Sequence, residues 1–319
     1  MVTAGTTDLE IWENASWATP SSKPAERRPL GLAVVSIDPQ RLLGWLRHHR
    51  AALAQDYAAE LLIFGTCETK ALAVDFLSAA AWPSCHLASS TDLSLNAKRN
   101  VLLRQSKAHH LMFLDDDAYV MHPTPHMTAL LENLGYYPQW LLCETAYYNE
   151  EHCVRIRPHV RSRWRQGSSI EWNQVLPSKA LREIGGWAED FGPGAPWPSG
   201  ESYVLTAHLW HRGWRQEPLA CVTICHPAQV PQRGRASLRK FSVYRFGLGA
   251  AVAATAGLSP KGFTLTVLAK VLVLGPILGL LQLLQPHKRP MGLLRLATPY
   301  FFTAGLLAYW RQGRRSADS

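Results

Sequence analysis

A short apolar run, Leu111-Met112-Phe113-Leu114, breaks off in three consecutive acids, Asp115-Asp116-Asp117. A hydrophobic segment of this length reads as a buried strand that delivers its acids to the rim of a sheet. Along extended backbone Asp115 and Asp117 point to one side and Asp116 to the other. Two carboxylates on one side suit Mg²⁺ or Mn²⁺, which take oxygen ligands and complete their shells with substrate phosphates. An acidic turn capping the next helix is the plainer reading of the same residues.

The segments around this run alternate in type. Strands are expected at Leu32–Ile37, Leu61–Phe64, His86–Ala88, Leu111–Leu114 and Trp140–Cys143. Helices are expected over Pro39–Ala54, Lys70–Ala81, Leu95–Ser106, Ser178–Ile184 and Ser202–Arg212, the last two stopped by Gly185-Gly186 and Gly213. Such alternation implies an α/β fold: a doubly wound, mostly parallel sheet that binds ligands at the carboxyl ends of its strands. Asp115–Asp117 lie at such an end. Phe191–Gly200 is too rich in Gly and Pro for a regular element and reads as a loop.

The ends of the chain differ from its middle. Residues 1–29, rich in Thr, Ser, Pro and Ala, read as a mobile leader without the apolar stretch of a signal peptide. Phe263–Leu284 and Met291–Trp310 are each nearly long and apolar enough to cross a bilayer, which needs about 20 residues. If both crossed, the basic Gln285–Pro290 loop would face outward, against the positive-inside tendency. An interfacial or re-entrant pair therefore competes with a spanning hairpin, and a soluble helical cap or oligomer interface is the third option. The expected divisions are leader 1–29, catalytic domain 30–230, basic amphipathic linker 231–262, membrane-associated hairpin 263–310 and basic tail 311–319.

The net charge of +9 is concentrated in clusters at Arg155–Arg165, at Arg233–Arg245 and near the C-terminus. No zinc-finger spacing or RNA-binding signature accompanies them, so nucleic acid is not an expected partner. Phosphate-bearing ligands or an anionic membrane surface fit them instead. Arg155, Arg157, Arg161, Arg163 and Arg165 alternate along one stretch, as a phosphate-gripping face or as a solvated edge strand. The six scattered cysteines fit reduced thiols in the cytosol.

Taken together, these landmarks resemble a family 2 glycosyltransferase of GT-A fold. Asn96-Ala97-Lys98-Arg99-Asn100, followed by His110–Asp117, is similar to the family's Ala-Arg-Asn helix and DxD strand. Ile184-Gly185-Gly186-Trp187-Ala188-Glu189-Asp190 resembles its Gly-Gly-Phe-Asp-Glu segment, and Gly200-Glu201 stands where it has Gly-Glu-Asp. The resemblance covers residues 31–230. It implies inverting transfer of a sugar from a nucleotide-diphosphate donor to an acceptor hydroxyl. The acceptor would be lipid-linked or a saccharide, at the cytoplasmic face of the cell membrane. Asp115 and Asp117 would hold Mg²⁺ or Mn²⁺, and His226 resembles a histidine that completes such a site in some relatives. Asp116 and Arg99 would serve the nucleotide sugar.

Two departures matter. The family's base is the aspartate of Glu-Asp, and this chain has Glu201-Ser202. Serine is no general base at neutral pH, which leaves Glu201 or Asp190 for the role. Relatives also place aspartate after the second strand, where this chain has Gly65-Thr66-Cys67-Glu68. Donor recognition then falls to Thr66, Glu68 or Asp92, with Asp38 after the first strand also placed to touch the nucleotide. A nucleotidyltransferase would want a Gly-rich loop where Ser36-Ile37-Asp38-Pro39-Gln40 stands. The absence of a Gln-x-x-Arg-Trp motif argues against processive synthesis. A catalytically weakened GT-A domain that binds a nucleotide sugar or a partner enzyme is the non-enzymatic alternative.

Overall fold

In the computed structural model the described residues are 10–13, 30–54, 59–80, 85–90, 92–122, 125–126, 130, 134, 139–148, 153–156, 170–227 and 235–317. The chain divides into two units: Met1–His159 with Ser169–Trp187 and Arg215–Ala228, and Val160–Ser168 with Ala188–Trp214 and Gln229–Ser319.

The first unit is a sheet flanked by helices. In chain order its elements are β1 (Glu10–Glu13), β2 (Leu30–Val35), α1 (Pro39–Ala54), β3 (Ala59–Gly65), α2 (Cys67–Ala80), β4 (Cys85–Ser89) and α3 (Leu95–Gln105). They continue with β5 (His110–Asp115), β6 (Tyr119–Val120), β7 (Trp140–Tyr148), β8 (Cys153–Ile156), β9 (Gln174–Pro177), α4 (Ser178–Glu183) and, after the other unit's helix, β10 (Gln216–Pro227). The strand order is β1-β4-β3-β2-β5-β9-β7-β10-β6, with β8 beside β7. Strands β2, β3, β4 and β5 pair in parallel, and β9 runs antiparallel between β5 and β7. Val35 is paired with Asp115, so the loop after β2 and the acids after β5 open at the same strand ends.

Parallel strands covered on both faces read as continuous apolar runs. Leu30, Leu32, Leu61, Ile63, Met112 and Leu114 accordingly form one core with Leu42, Trp45 and Leu46 of α1. Leu42, Trp45 and Leu46, at i, i+3 and i+4, thus share one face of α1. Its start is set by Pro39 at the first position and by Asp38, whose carboxylate accepts the N–H groups of Gln40 and Arg41. The sequence reading placed residues 1–29 in a mobile leader. Glu10–Glu13 instead add to the sheet edge, antiparallel to β4, and the rest of that stretch lies outside the described residues.

The second unit holds α5 (Glu201–His211), α6 (Arg235–Ala254), α7 (Lys261–Ala269), a π-helical turn (Lys270–Leu274), α8 (Gly275–Leu283) and α9 (Arg289–Ala317). The stretch read as a basic linker therefore contains a 20-residue helix, α6. Its Ala250, Ala251 and Val252 join Trp197, Tyr203, Phe263, Val267 and Phe302 in one core. Glycines allow the closest approaches. The Cβ position of Gly249 is filled by the Phe302 carbonyl, and that of Gly305 by the Phe246 carbonyl. Gly279 and Gly292 face each other, a Cβ on either lying 2.8–2.9 Å from the other's carbonyl oxygen. Small residues at helix contacts of this kind let backbones approach closely.

Candidate active site

Asp115 ends β5, and Asp116 and Asp117 form the turn after it. Ligand atoms of Asp115, Asp117 and His226 lie within 4.8 Å of one another, the one such cluster among the described residues. His226 comes from the end of β10, whose parallel partner β7 aligns it with Tyr147. Its Nδ1 lies 2.7 Å from the Pro227 carbonyl oxygen. That oxygen can only accept, so Nδ1 carries the proton and Nε2 is left facing Asp117 Oδ1 at 3.4 Å. The imidazole stacks on Trp172, centroids 4.8 Å apart and 15° from parallel.

Each acid has its own support. Asp115 meets Arg99 at 3.3 Å, and Arg99, itself 3% exposed, also donates to Asn96 and lies 4.7 Å from the Trp187 ring centroid. Burial pushes the Asp115 carboxyl above its usual range against the pull of Arg99. Asp116 turns the other way and accepts from the buried Ser36 hydroxyl at 2.7 Å. Burial raises its pKa too, partly offset by that hydrogen bond. Arg41 reaches Asp38 at 3.5 Å and both Asp116 and Asp117 at 3.7 Å.

The turn is held from beneath by α1. Trp45 donates its indole N–H to the Ala118 carbonyl, and His48 Nε2 lies 2.9 Å from the Val120 carbonyl oxygen. His49 accepts the Val120 N–H at Nε2 and donates from Nδ1 to the Trp45 carbonyl. Fully buried, its imidazole pKa is pushed down to about 3, and it is neutral.

The Ala-Arg-Asn and Gly-Gly segments meet in space. Asn100 both accepts from the Trp187 N–H and donates to its carbonyl. Gly186, at φ +89°, leaves room for that amide, since a Cβ there would strike it.

The remaining sequence candidates sit as follows. Asp38 caps α1 beside Arg41. Thr66 and Thr69 cap α2 reciprocally, each accepting the other's backbone N–H. Gly65 has no room for a side chain, because Thr69 and the Ser36 carbonyl occupy its Cβ position. Glu68 and Asp92 are exposed. Glu201 and Asp190 belong to the second unit: Asp190 is exposed, and Glu201 is buried at the start of α5. The loop before Glu201 is pinned to α6. Ser199 donates to the Tyr244 carbonyl at 2.8 Å, and Gly200, at φ +97°, lies where a Cβ would come within 2.6 Å of Ala251. Of the alternating arginines only Arg155 is described, on β8; Arg157, Arg161, Arg163 and Arg165 lie outside the described residues.

Arg41, Ser36 and Trp172 were not among the expected site residues. Asp38-x-x-Arg41, spaced for contact on one helix face, was a local signal for the first. Nothing near Trp172 in sequence points to His226.

No protein-family model matches the chain, and no curated protein matches it by sequence. Solved structures do. A mannosyltransferase, PcManGT from Pyrobaculum calidifontis, in complex with GDP-Man and Mn²⁺, superposes with a TM-score of 0.59 at 12% identity, covering 91% of each chain. S. aureus TarS gives a TM-score of 0.52 at 13% identity over 76% of this chain and 43% of its own. The fold is the GT-A fold, with two apolar helices long enough to cross a membrane at its C-terminal end.

Proposed function

We propose that this chain is an inverting family 2 glycosyltransferase that moves a sugar from a nucleotide-diphosphate donor to an acceptor hydroxyl. The convergence of Asp115, Asp117 and His226 at the strand ends of a GT-A sheet carries the reading. Two carboxylates and an imidazole nitrogen freed by its Pro227 contact are a donor set that fits Mn²⁺ or Mg²⁺, the imidazole favouring Mn²⁺. When bound, such an ion supplies Lewis-acid neutralisation of the charge growing on the departing nucleoside diphosphate. The mannosyltransferase with GDP-Man and Mn²⁺ supports this choice of ligands by likeness of fold.

The chain's own groups do the rest. Arg99 holds Asp115 in place, and Ser36 fixes Asp116 by its hydrogen bond; in this reading Asp116 serves the nucleotide sugar. Glu201, at the motif position nearest the family's base, takes the acceptor hydroxyl proton; Asp190 is the other carboxylate in that segment. The acceptor oxygen bonds to the anomeric carbon as the bond to the diphosphate oxygen breaks, and the electron pair leaves with the nucleotide. Thr66, Glu68, Asp92 and Asp38 remain candidates for the donor's base and ribose. A lipid-linked or saccharide acceptor at the cytoplasmic membrane face fits the two apolar helices.

The test is nucleotide release from a panel of nucleotide sugars with Mn²⁺ or Mg²⁺. Turnover should need the metal and fall by about 100-fold or more in Glu201→Gln, the range of a lost general base, and be lost in Asp117→Ala. Unchanged turnover in both variants would sink the assignment. Donor binding with no turnover in the parent chain would favour a weakened, binding-only domain, a reading for which Ser202 speaks.

A further inference from the structure

Within the second unit, the two long apolar helical stretches are not free along their length. Lys261–Leu283 buries Phe263, Val267 and Val271 in the core it shares with Tyr203, whose ring stacks on Phe263 at 5.3 Å. Pro286–Gln312 is anchored through its later half: Phe302 is buried, Tyr309 meets Trp197 at 5.5 Å, and Gly305 abuts the Phe246 carbonyl. Val271, in the π-helical turn at Lys270–Leu274, is the last large apolar side chain of this stretch to be buried, and past it only Gly279 is buried, against the returning helix. From Leu272 on, Leu274, Ile277, Leu280, Leu281 and Leu284 are exposed, as is Leu293 on the returning helix.

An exposed cation, Lys270, interrupts the first stretch, and the apolar part beyond it is short. Leu272–Leu284 rises about 20 Å at helical pitch, against about 30 Å for a hydrocarbon core. Its turn carries exposed His287, Lys288 and Arg289, which no bilayer midplane accommodates cheaply. We propose that this hairpin embeds obliquely in one leaflet of an anionic bilayer and does not cross it. The apolar faces enter the acyl region, and Lys270, Lys288, Arg289 and Arg311 reach back to the headgroups. Exposed Tyr300 and Trp310 have the amphipathic rings found at that boundary. A second copy on the same face would set these cations against their own equivalents, whereas anionic headgroups complement them. The proposal stands apart from sugar transfer and is tested without it.

The full chain is added to sealed vesicles of phosphatidylcholine with phosphatidylglycerol, and to phosphatidylcholine alone. It should bind the anionic vesicles at least about tenfold more tightly. A Gln285→Cys variant, read against the parent chain's own thiols, should react with an impermeant maleimide to the same extent before and after the vesicles are opened. Labelling only after opening would mean the hairpin crosses, and no binding to anionic vesicles would mean its apolar face serves another partner. Either outcome overturns the proposal. Ile277→Glu with Leu281→Glu, at positions 49% and 54% exposed, should keep the parent's melting temperature and lose vesicle binding. Retained binding in that variant would also overturn it.

Discussion

The imidazole of His226 lies nearly coplanar with the Trp172 indole and gives its Nδ1 proton to the Pro227 carbonyl, so its orientation and tautomer are both set by the chain. Groups that orient a ligand histidine in this way typically contribute about 10–100-fold to metal affinity. Trp172→Leu should therefore weaken Mn²⁺ binding about tenfold by calorimetry, and Trp172→Phe, which keeps a stacking ring, should restore most of it. Equal affinity in both variants and the parent would remove Trp172 from the site. In the sequence, His226 is singled out only by its resemblance to a histidine of some relatives; its place beside Asp115 and Asp117 emerges with the fold. Its indole partner was not legible there: Trp172 sits in a 3₁₀ turn far away in sequence, and the stacking exists only once β10 is in register with β7. Likewise Asn100 and Gly186 looked like separate motif fragments. Their shared purpose, an amide gripping the Trp187 backbone where no Cβ fits, appears only in three dimensions.

Among the elements, α1 runs from Pro39 to Ala54, the limits its apolar spacing and Pro start imply. Its second task is hidden in the same stripe, since Trp45, His48 and His49 look like ordinary amphipathic-helix residues until their polar atoms are seen holding Ala118–Val120. The His49 pKa of about 3 lies below its ordinary value of 6.5. The unfolded chain therefore takes up the proton first, and the His49 contribution to stability is complete above pH 6.5 and is lost as pH falls toward 3. The loss approaches about 1.4 kcal/mol per pH unit within that window. Denaturant midpoints measured between pH 7 and pH 5 should fall more steeply in the parent chain than in His49→Gln; parallel slopes would show that another group governs acid sensitivity. Strand β9 was among the elements that the sequence reading missed. Its four residues carry no alternation long enough to register, and its place between β5 and β7 depends on non-local pairing.

At the scale of the molecule, the first unit announced itself through alternating strands and helices, because each strand–helix repeat is local in sequence. The second did not. It gathers Ala188–Trp214 and Gln229–Ser319 around helix contacts made by glycines, whose closeness leaves no hydrophobic pattern to read. Helix α6 was taken for a linker because its charges at Arg235, Arg239, Lys240 and Arg245 mask the buried Ala250–Ala253 run. Large apolar side chains are left exposed at intervals from Leu265 to Trp310, the kind of surface that marks an interaction or membrane site. The full chain should thus form heterogeneous, non-specific aggregates in plain buffer, not a defined dimer, and run as a single species in mild detergent by light scattering. A monodisperse monomer without detergent would count against a lipid-facing role for that surface.

The facing glycines of the hairpin also bear on how this sequence can drift. A methyl group at Gly279 would press on the Gly292 backbone, and one at Gly292 on the Gly279 backbone, each within 3 Å of a carbonyl oxygen. Neither position can accept a side chain while the helices keep their spacing. Enlarging both would only compound the collision, so a side chain at either position forces the two helices apart.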